Sequence, residues 1–202
     1  SAAAAFARDN PMEGVSYHFA TGNAAIYGAM NESIAASEVP ALAIVFGVIA
    51  VLVFAAFRDW RAVVCCCMPL LVATYAGYAL MTLLGIGLKF STLPVLVVAV
   101  GIGVDYAFYI YARLMVYLRD GADMSVAYVA ALRETGMAVV FTGITLAGGA
   151  ASWAFSGLKF QADMGLMLAI LFLANMIGAV TLLPALATLL DALVPRAKAK
   201  KG

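Results

Sequence analysis

Gly101-Ile102-Gly103-Val104-Asp105-Tyr106 places a carboxylate halfway along a run that otherwise reads as buried in lipid. Between Leu93 and Tyr111 the other ionisable side chains are tyrosines. At about 1.5 Å rise per residue, Asp105 lies about 18 Å from Leu93 and about 9 Å from Tyr111, and its short side chain cannot snorkel out as a lysine or arginine does. Holding a carboxylate at that depth costs roughly 2.5 to 3.5 kcal/mol on insertion scales. Loss of solvation disfavours its charged form. A proton site is the expectation that follows.

The rest of the chain agrees with a lipid setting. Of 202 residues, 65% are hydrophobic and 11% are charged, with a mean hydropathy of +1.02; soluble domains sit nearer about 45–50% apolar and about 25% charged. The composition therefore excludes an ordinary soluble enzyme or binding domain. A net charge of +1, with no basic stripe apart from a short tail, gives no reason to expect a nucleic-acid partner. Cys65, Cys66 and Cys67 are adjacent within an apolar run, without metal-ligand or CxxC spacing, and read as small helix-packing residues. His18, the sole histidine, reads as a surface or packing residue. No metal or cofactor is expected. The first residue is not methionine and Ser1-Ala2-Ala3-Ala4-Ala5 lacks the charged start of a signal peptide, so the expectation is a processed chain or part of something longer.

Working outward, the expected fold is an all-α membrane protein of five transmembrane helices with an amphipathic connector helix on the cytoplasmic side. Residues 1–37 read as the end of an extramembrane domain, with a short strand at Val15–Phe19, a turn at Thr21-Gly22-Asn23 and a helix over Ala24–Ala36 leading to the membrane. Residues 38–116 hold three spans. Ser37-Glu38-Val39-Pro40 is a helix start, Arg58-Asp59-Trp60-Arg61 is a tight polar turn, Pro69 should kink the second span, and Ser91-Thr92-Leu93-Pro94 opens the third. In the connector, residues 117–135, Asp123 is a cap for a helix to Glu134 whose apolar side includes Val126, Val129 and Leu132. Residues 136–194 hold the fourth span, dense in small and hydroxyl residues and so built for tight packing, and the fifth, with Asn175 inside it. Residues 195–202 form a basic tail.

Nine arginines and lysines (Arg58, Arg61, Arg113, Arg119, Arg133, Arg196, Lys198, Lys200, Lys201) fall on one side of this arrangement and three (Arg8, Lys89, Lys159) on the other. The positive-inside rule then places the C-terminus in the cytoplasm and residues 1–37 outside. Helical spacing puts Gly101 one turn before Asp105, leaving room for a neighbouring helix at the level of the acid, with Phe108 and Ala112 on nearly the same face. Tyr106 brings a phenol within reach of a proton chain, and Thr142 and Thr145 offer hydroxyls at comparable depth if the third and fourth spans touch. The blander reading is an acid that only fixes helix register.

Gly101-x-x-x-Asp105-Tyr106 in the third span resembles the GxxxDY signature of the resistance-nodulation-division (RND) superfamily, in particular its MMPL branch of lipid and hydrophobe exporters. The resemblance extends to Thr21-Gly22, Phe57-Arg58-Asp59-Trp60-Arg61, the stretch Ala127–Thr142 and Leu182-Leu183-Pro184-Ala185-Leu186. It implies the last five helices of one RND-type repeat, without the first helix and nearly all of the periplasmic porter domain, in a multi-pass protein of the bacterial inner membrane. It further implies an Asp105–Tyr106 proton relay, supported by Gly101, Gly103, Thr142 and Thr145, with protons as the coupling ion. The partners it implies are the lipid bilayer and the remaining half of the transporter, which carries the porter domain, with homo-oligomers also found on this plan. Two relatives of the same fold compete with the exporter: a proton-coupled accessory of protein translocation, and a non-transporting sensor or scaffold. An intramembrane aspartyl protease fits poorly, since a residue separates Gly103 from the acid and a second deep aspartate is missing.

Overall fold

In the computed structural model, residues 23–83, 85 and 92–193 are described. They form five long helices: α1 (Asn23–Phe57), α2 (Trp60–Leu83), α3 (Thr92–Arg119), α4 (Met124–Ala151) and α5 (Lys159–Leu193), with a short 3₁₀ turn at Ser152–Phe155 before the last. All five are long and apolar enough to cross a membrane, and no strand occurs among the described residues. The expected strand at Val15–Phe19, the turn at Thr21-Gly22, His18, residues 86–91 and the basic tail lie outside them.

Two expected helix boundaries are absent. The helix over Ala24–Ala36 and the first span are one element of 35 residues with Pro40 inside it. The Ser37 hydroxyl, expected to cap a new helix, instead donates to the Ser33 carbonyl at 2.8 Å. A proline removes one backbone donor, and with that loss confined to one turn the helix runs on. At about 1.5 Å per residue α1 is some 50 Å long, well beyond a hydrocarbon core of about 30 Å; its apolar span is Val39–Phe57, and the first four turns lie outside that span.

The second absent boundary lies at residues 135 and 136. The connector helix forms the first three turns of α4 and passes without a break into the fourth span. Its inward face also differs from expectation: Ala127, Ala131 and Gly136 are buried, whereas Val126 and Val129 stand outside. Alanine and glycine let helix backbones approach more closely than valine would.

The turns are closed by identifiable chemistry. Arg58 takes a left-handed backbone, φ 53°, while its N–H bonds the Phe54 carbonyl at 2.7 Å, and the Asp59 carboxylate accepts from the Arg61 N–H at 3.0 Å to start α2. Between α3 and α4, Gly121 has φ 86°. The Ala122 N–H reaches the Tyr117 carbonyl at 3.1 Å and the Gly121 N–H the Leu118 carbonyl at 3.2 Å, the double closure of a Schellman motif, which favours glycine there. Asp123 then caps α4 by accepting from the Ser125 N–H and hydroxyl, at 3.3 and 2.7 Å.

The central helix is α5, which packs on α2, α3 and α4, whereas α1 touches only α2 and α3. Each of its neighbours offers a glycine notch. A Cβ on Gly77 of α2 would lie 2.7 Å from Leu171, one on Gly103 of α3 2.5 Å from Asn175, and one on Gly143 of α4 2.5 Å from Met176. Contacts at two levels of α5, one turn apart at Leu171 and at Asn175 and Met176, thus depend on side chains that are missing.

Pro184 lies inside α5 and cannot donate to the carbonyl four residues earlier. That carbonyl, of Val180, accepts instead from the Tyr128 hydroxyl of α4 at 2.6 Å. Neighbouring helices satisfy backbone groups freed by proline in this way where no water is available.

Candidate functional site: the two faces of α3

Successive positions on a helix are about 100° apart, so Asp105 and Tyr106 diverge from the moment they leave the backbone. Gly103, Tyr106, Ala107, Ile110, Tyr111 and Leu114 turn inward and are buried; Gly101, Asp105 and Tyr109 lie on an open flank of the bundle. Asp105 has no hydrogen-bonding or ionic partner among the described residues. Tyr106 is 2% exposed and its hydroxyl is buried without a hydrogen-bond partner among them.

The two glycines of the motif serve opposite faces. A Cβ on Gly101 would meet nothing within 4 Å, so a shallow notch lies beside Asp105 on the open flank. Gly103 faces inward, where its Cβ would collide with the Asn175 amide and with Leu70, 2.7 Å away. Phe108, which spacing puts near the face of Asp105, leans instead on Phe57, ring centroids 4.9 Å apart.

Thr142 and Thr145 are not brought to Asp105 by any described contact. α3 and α4 do pack together, but the buried side of α4 at this level is that of Val139, Gly143 and Ala147, and both threonines are exposed. The Thr145 hydroxyl is engaged within its own helix, donating to the Phe141 and Thr142 carbonyls at 2.9 and 3.0 Å. Hydroxyls of this kind satisfy themselves on the preceding turn when no other acceptor is near.

Asn175 is visible in the sequence only as a lone amide in an apolar run. It is 3% exposed, and its Nδ2 donates at 2.8 Å to the Ala99 carbonyl of α3, 76 residues away. Ala99 is the acceptor toward which the Gly103 N–H points in the helical ladder, so the amide joins a carbonyl already used by α3. Its Oδ1 is buried without a hydrogen-bond partner among the described residues.

At the arginine-rich end, α3 and α4 are tied by polar contacts. Arg113 lies 3.3 Å from Glu134, and the Tyr117 hydroxyl donates to the same carboxylate. Arg61, 8% exposed, sits 3.6 Å from Asp191 and joins the start of α2 to the end of α5. A groove of about 570 Å³ opens there, lined by Tyr117, Ser125, Val126, Val129, Ala130, Arg133 and Glu134; by helical rise Tyr117 is about 18 Å from Asp105, so this groove is separate from the acid. Among the described residues no cluster of three His, Cys, Asp or Glu side chains could hold a metal.

Five apolar helices, the last of them central to three others, with an unpaired carboxylate halfway along the third, define a multi-pass membrane protein with an ionisable site inside the membrane. The chain belongs to the MMPL family, which it matches over residues 1–202. It is 33% identical over 92 residues to a Mycobacterium tuberculosis protein named "Probable transport protein MmpL12", a stretch that is 46% of this chain and 8% of that protein, and the match is the same in two strains. It is also 34% identical over 100 residues, 50% of this chain and 14% of the relative, to SCO6666 of Streptomyces coelicolor. The matched stretches are thus a small part of each relative.

Proposed function

We propose that this chain is the membrane part of an MMPL-type exporter driven by the proton-motive force, with Asp105 as its proton-relay acid and hydrophobic or amphipathic, lipid-like compounds as its substrates. The observation that carries this reading is Asp105 itself, unpaired and turned to the open flank halfway along a spanning helix. A carboxylate in that place has two accessible states: neutral through protonation, or charged beside a polar group on a facing helix. A partner half of the transporter seated on the Gly101–Asp105–Tyr109 flank supplies the second state, and the proton supplies the first. The similarity to a protein named as a transport protein points the same way.

On this reading the arginine-rich ends of α2, α3 and α4 face the cytoplasm of a bacterial inner membrane, and α1 leads out toward a periplasmic porter domain. Asp105 takes a proton from the outer side and releases it inward, with Tyr106 adjusting inside the bundle and Thr142 and Thr145 offering hydroxyls to the same interface. One proton crossing about 100 mV supplies roughly 2.3 kcal/mol, and the pH gradient adds to it. That is enough to bias a two-state helix bundle.

The test is proton uptake into vesicles holding the full-length protein and a trapped pH-sensitive dye, under an imposed pH gradient. Asp105→Asn, which keeps size and hydrogen bonding but not the titration, is expected to reduce uptake to the level of empty vesicles. Uptake at the wild-type rate in that variant overturns the relay.

A further inference from the structure

The geometry points to Asn175 as the positioning residue for the Asp105–Tyr106 pair, an inference that rests on the proton-relay reading above. Its amide reaches from the central helix to the Ala99 carbonyl at 2.8 Å, and the space it occupies exists because position 103 has no side chain: a Cβ there would lie 2.5 Å from Nδ2. Amide and glycine notch together engage the turn of α3 that immediately precedes the acid.

A rigid helix held at one turn has its next turn aimed. Position 105 lies about 200° around from 103, and position 106 about 60° from it. An Asn175 peg seated at Gly103 therefore directs Asp105 to the far side, the open flank, and keeps Tyr106 on the inner side with the peg. The observed exposure of the one and burial of the other agree with this.

A packing role alone does not call for an amide at position 175. Leucine, with the same branched skeleton, would occupy the site without leaving an Oδ1 buried and unpaired, and a buried polar group without a partner weakens a fold. The unpaired acceptor has a counterpart: the Tyr106 hydroxyl is an unpaired donor on the same side of α3, and helical side chains lean back toward the preceding turn, here that of Gly103. When Asp105 changes charge and α3 shifts, Tyr106 can turn to that acceptor without desolvating a further group. Asn175 in this way sets both where α3 rests and what it can move toward.

The experiment follows Asp105 directly in the full-length protein in proteoliposomes. Dicyclohexylcarbodiimide couples to protonated membrane carboxyls, so labelling of Asp105 against pH, read by mass spectrometry, reports its protonation without needing a substrate; dye-reported proton uptake is measured alongside. Asn175→Leu is expected to move the labelling midpoint by about one pH unit, a tenfold change in proton affinity, and to slow uptake about tenfold. Asn175→Ser, too short to reach Ala99 but still polar and easily accommodated, is expected to shift the midpoint the same way and decides the matter if the leucine variant is not recovered from membranes. An unshifted labelling midpoint in the variants overturns the inference, even if uptake falls, because lost packing alone would slow transport without re-aiming the acid. Asp105→Asn separates the two levels: wild-type uptake in that variant fails the relay reading itself, whereas a silent Asp105→Asn beside unshifted Asn175 variants fails only the positioning role.

Discussion

Asp105 stands out in the sequence because a carboxylate deep in an apolar run is costly to keep and so rarely there by chance, but the direction it faces is not legible. Gly101 and Gly103 each offer a notch, and being two positions apart they serve opposite faces of α3. Which one the bundle uses is settled by Leu70 and Asn175, from α2 and α5, contacts that leave no mark near the motif. Asn175 shows the same limit, since its partner is a backbone carbonyl and backbone is the same everywhere. Asp123, by contrast, is read correctly as a cap, because capping is local chemistry. The Ser125 hydroxyl and N–H hold the Asp123 carboxyl below the usual carboxylate range. A carboxyl held low in the folded chain contributes stability that is present above its ordinary titration range and lost as pH falls through the lowered value. Amides in the first turn of α4 are therefore expected to keep their protection from hydrogen exchange at neutral pH and to lose it on acidification below that range. Asp123→Asn, a good cap without a titratable group, should flatten the dependence; an unchanged pH profile in Asp123→Asn would rule out this carboxyl as its cause.

At the scale of elements, periodicity and hydropathy find the helices and misplace two of their ends. Pro40 and the Thr135-Gly136 pair look like boundaries, yet α1 and α4 run through them, because a proline or glycine costs a helix one turn's bonding or packing and does not by itself supply a stop. Where the chain does stop, at Arg58 and Gly121, left-handed backbone turns it away. The Tyr128 hydroxyl on the Val180 carbonyl is a pairing between α4 and α5 that exists because Pro184 left that carbonyl without its helical donor. Tyr128→Phe is expected to cost about 1 kcal/mol for the lost hydrogen bond, and up to about 3 if the carbonyl stays unsatisfied. Pro184→Ala returns a donor to the same carbonyl, so in its background Tyr128→Phe should cost much less. Denaturant titration of the four proteins as a double-mutant cycle measures this, and additive costs would separate the tyrosine from the proline.

For the whole molecule, α5 fills the notches of three neighbours and so forms the fixed part of the bundle, while the far side of α3 carries Asp105 on a flank that the five helices leave open. Composition alone announces the membrane; the open flank emerges only from the way the helices pack, since the spans are apolar on most sides and hydropathy does not distinguish a lipid-facing side from a partner-facing one. On the proposed reading, the carboxylate on this flank gains and loses a proton within the assembled transporter. Infrared difference spectroscopy of the full-length protein in lipid, stepped between the pH values of the outer and inner compartments, observes that event at the group itself. The expected result is a protonated-carboxyl stretch that appears on the acid side, reverses on return, and is missing from Asp105→Asn. A difference spectrum identical in wild type and Asp105→Asn would contradict the claim.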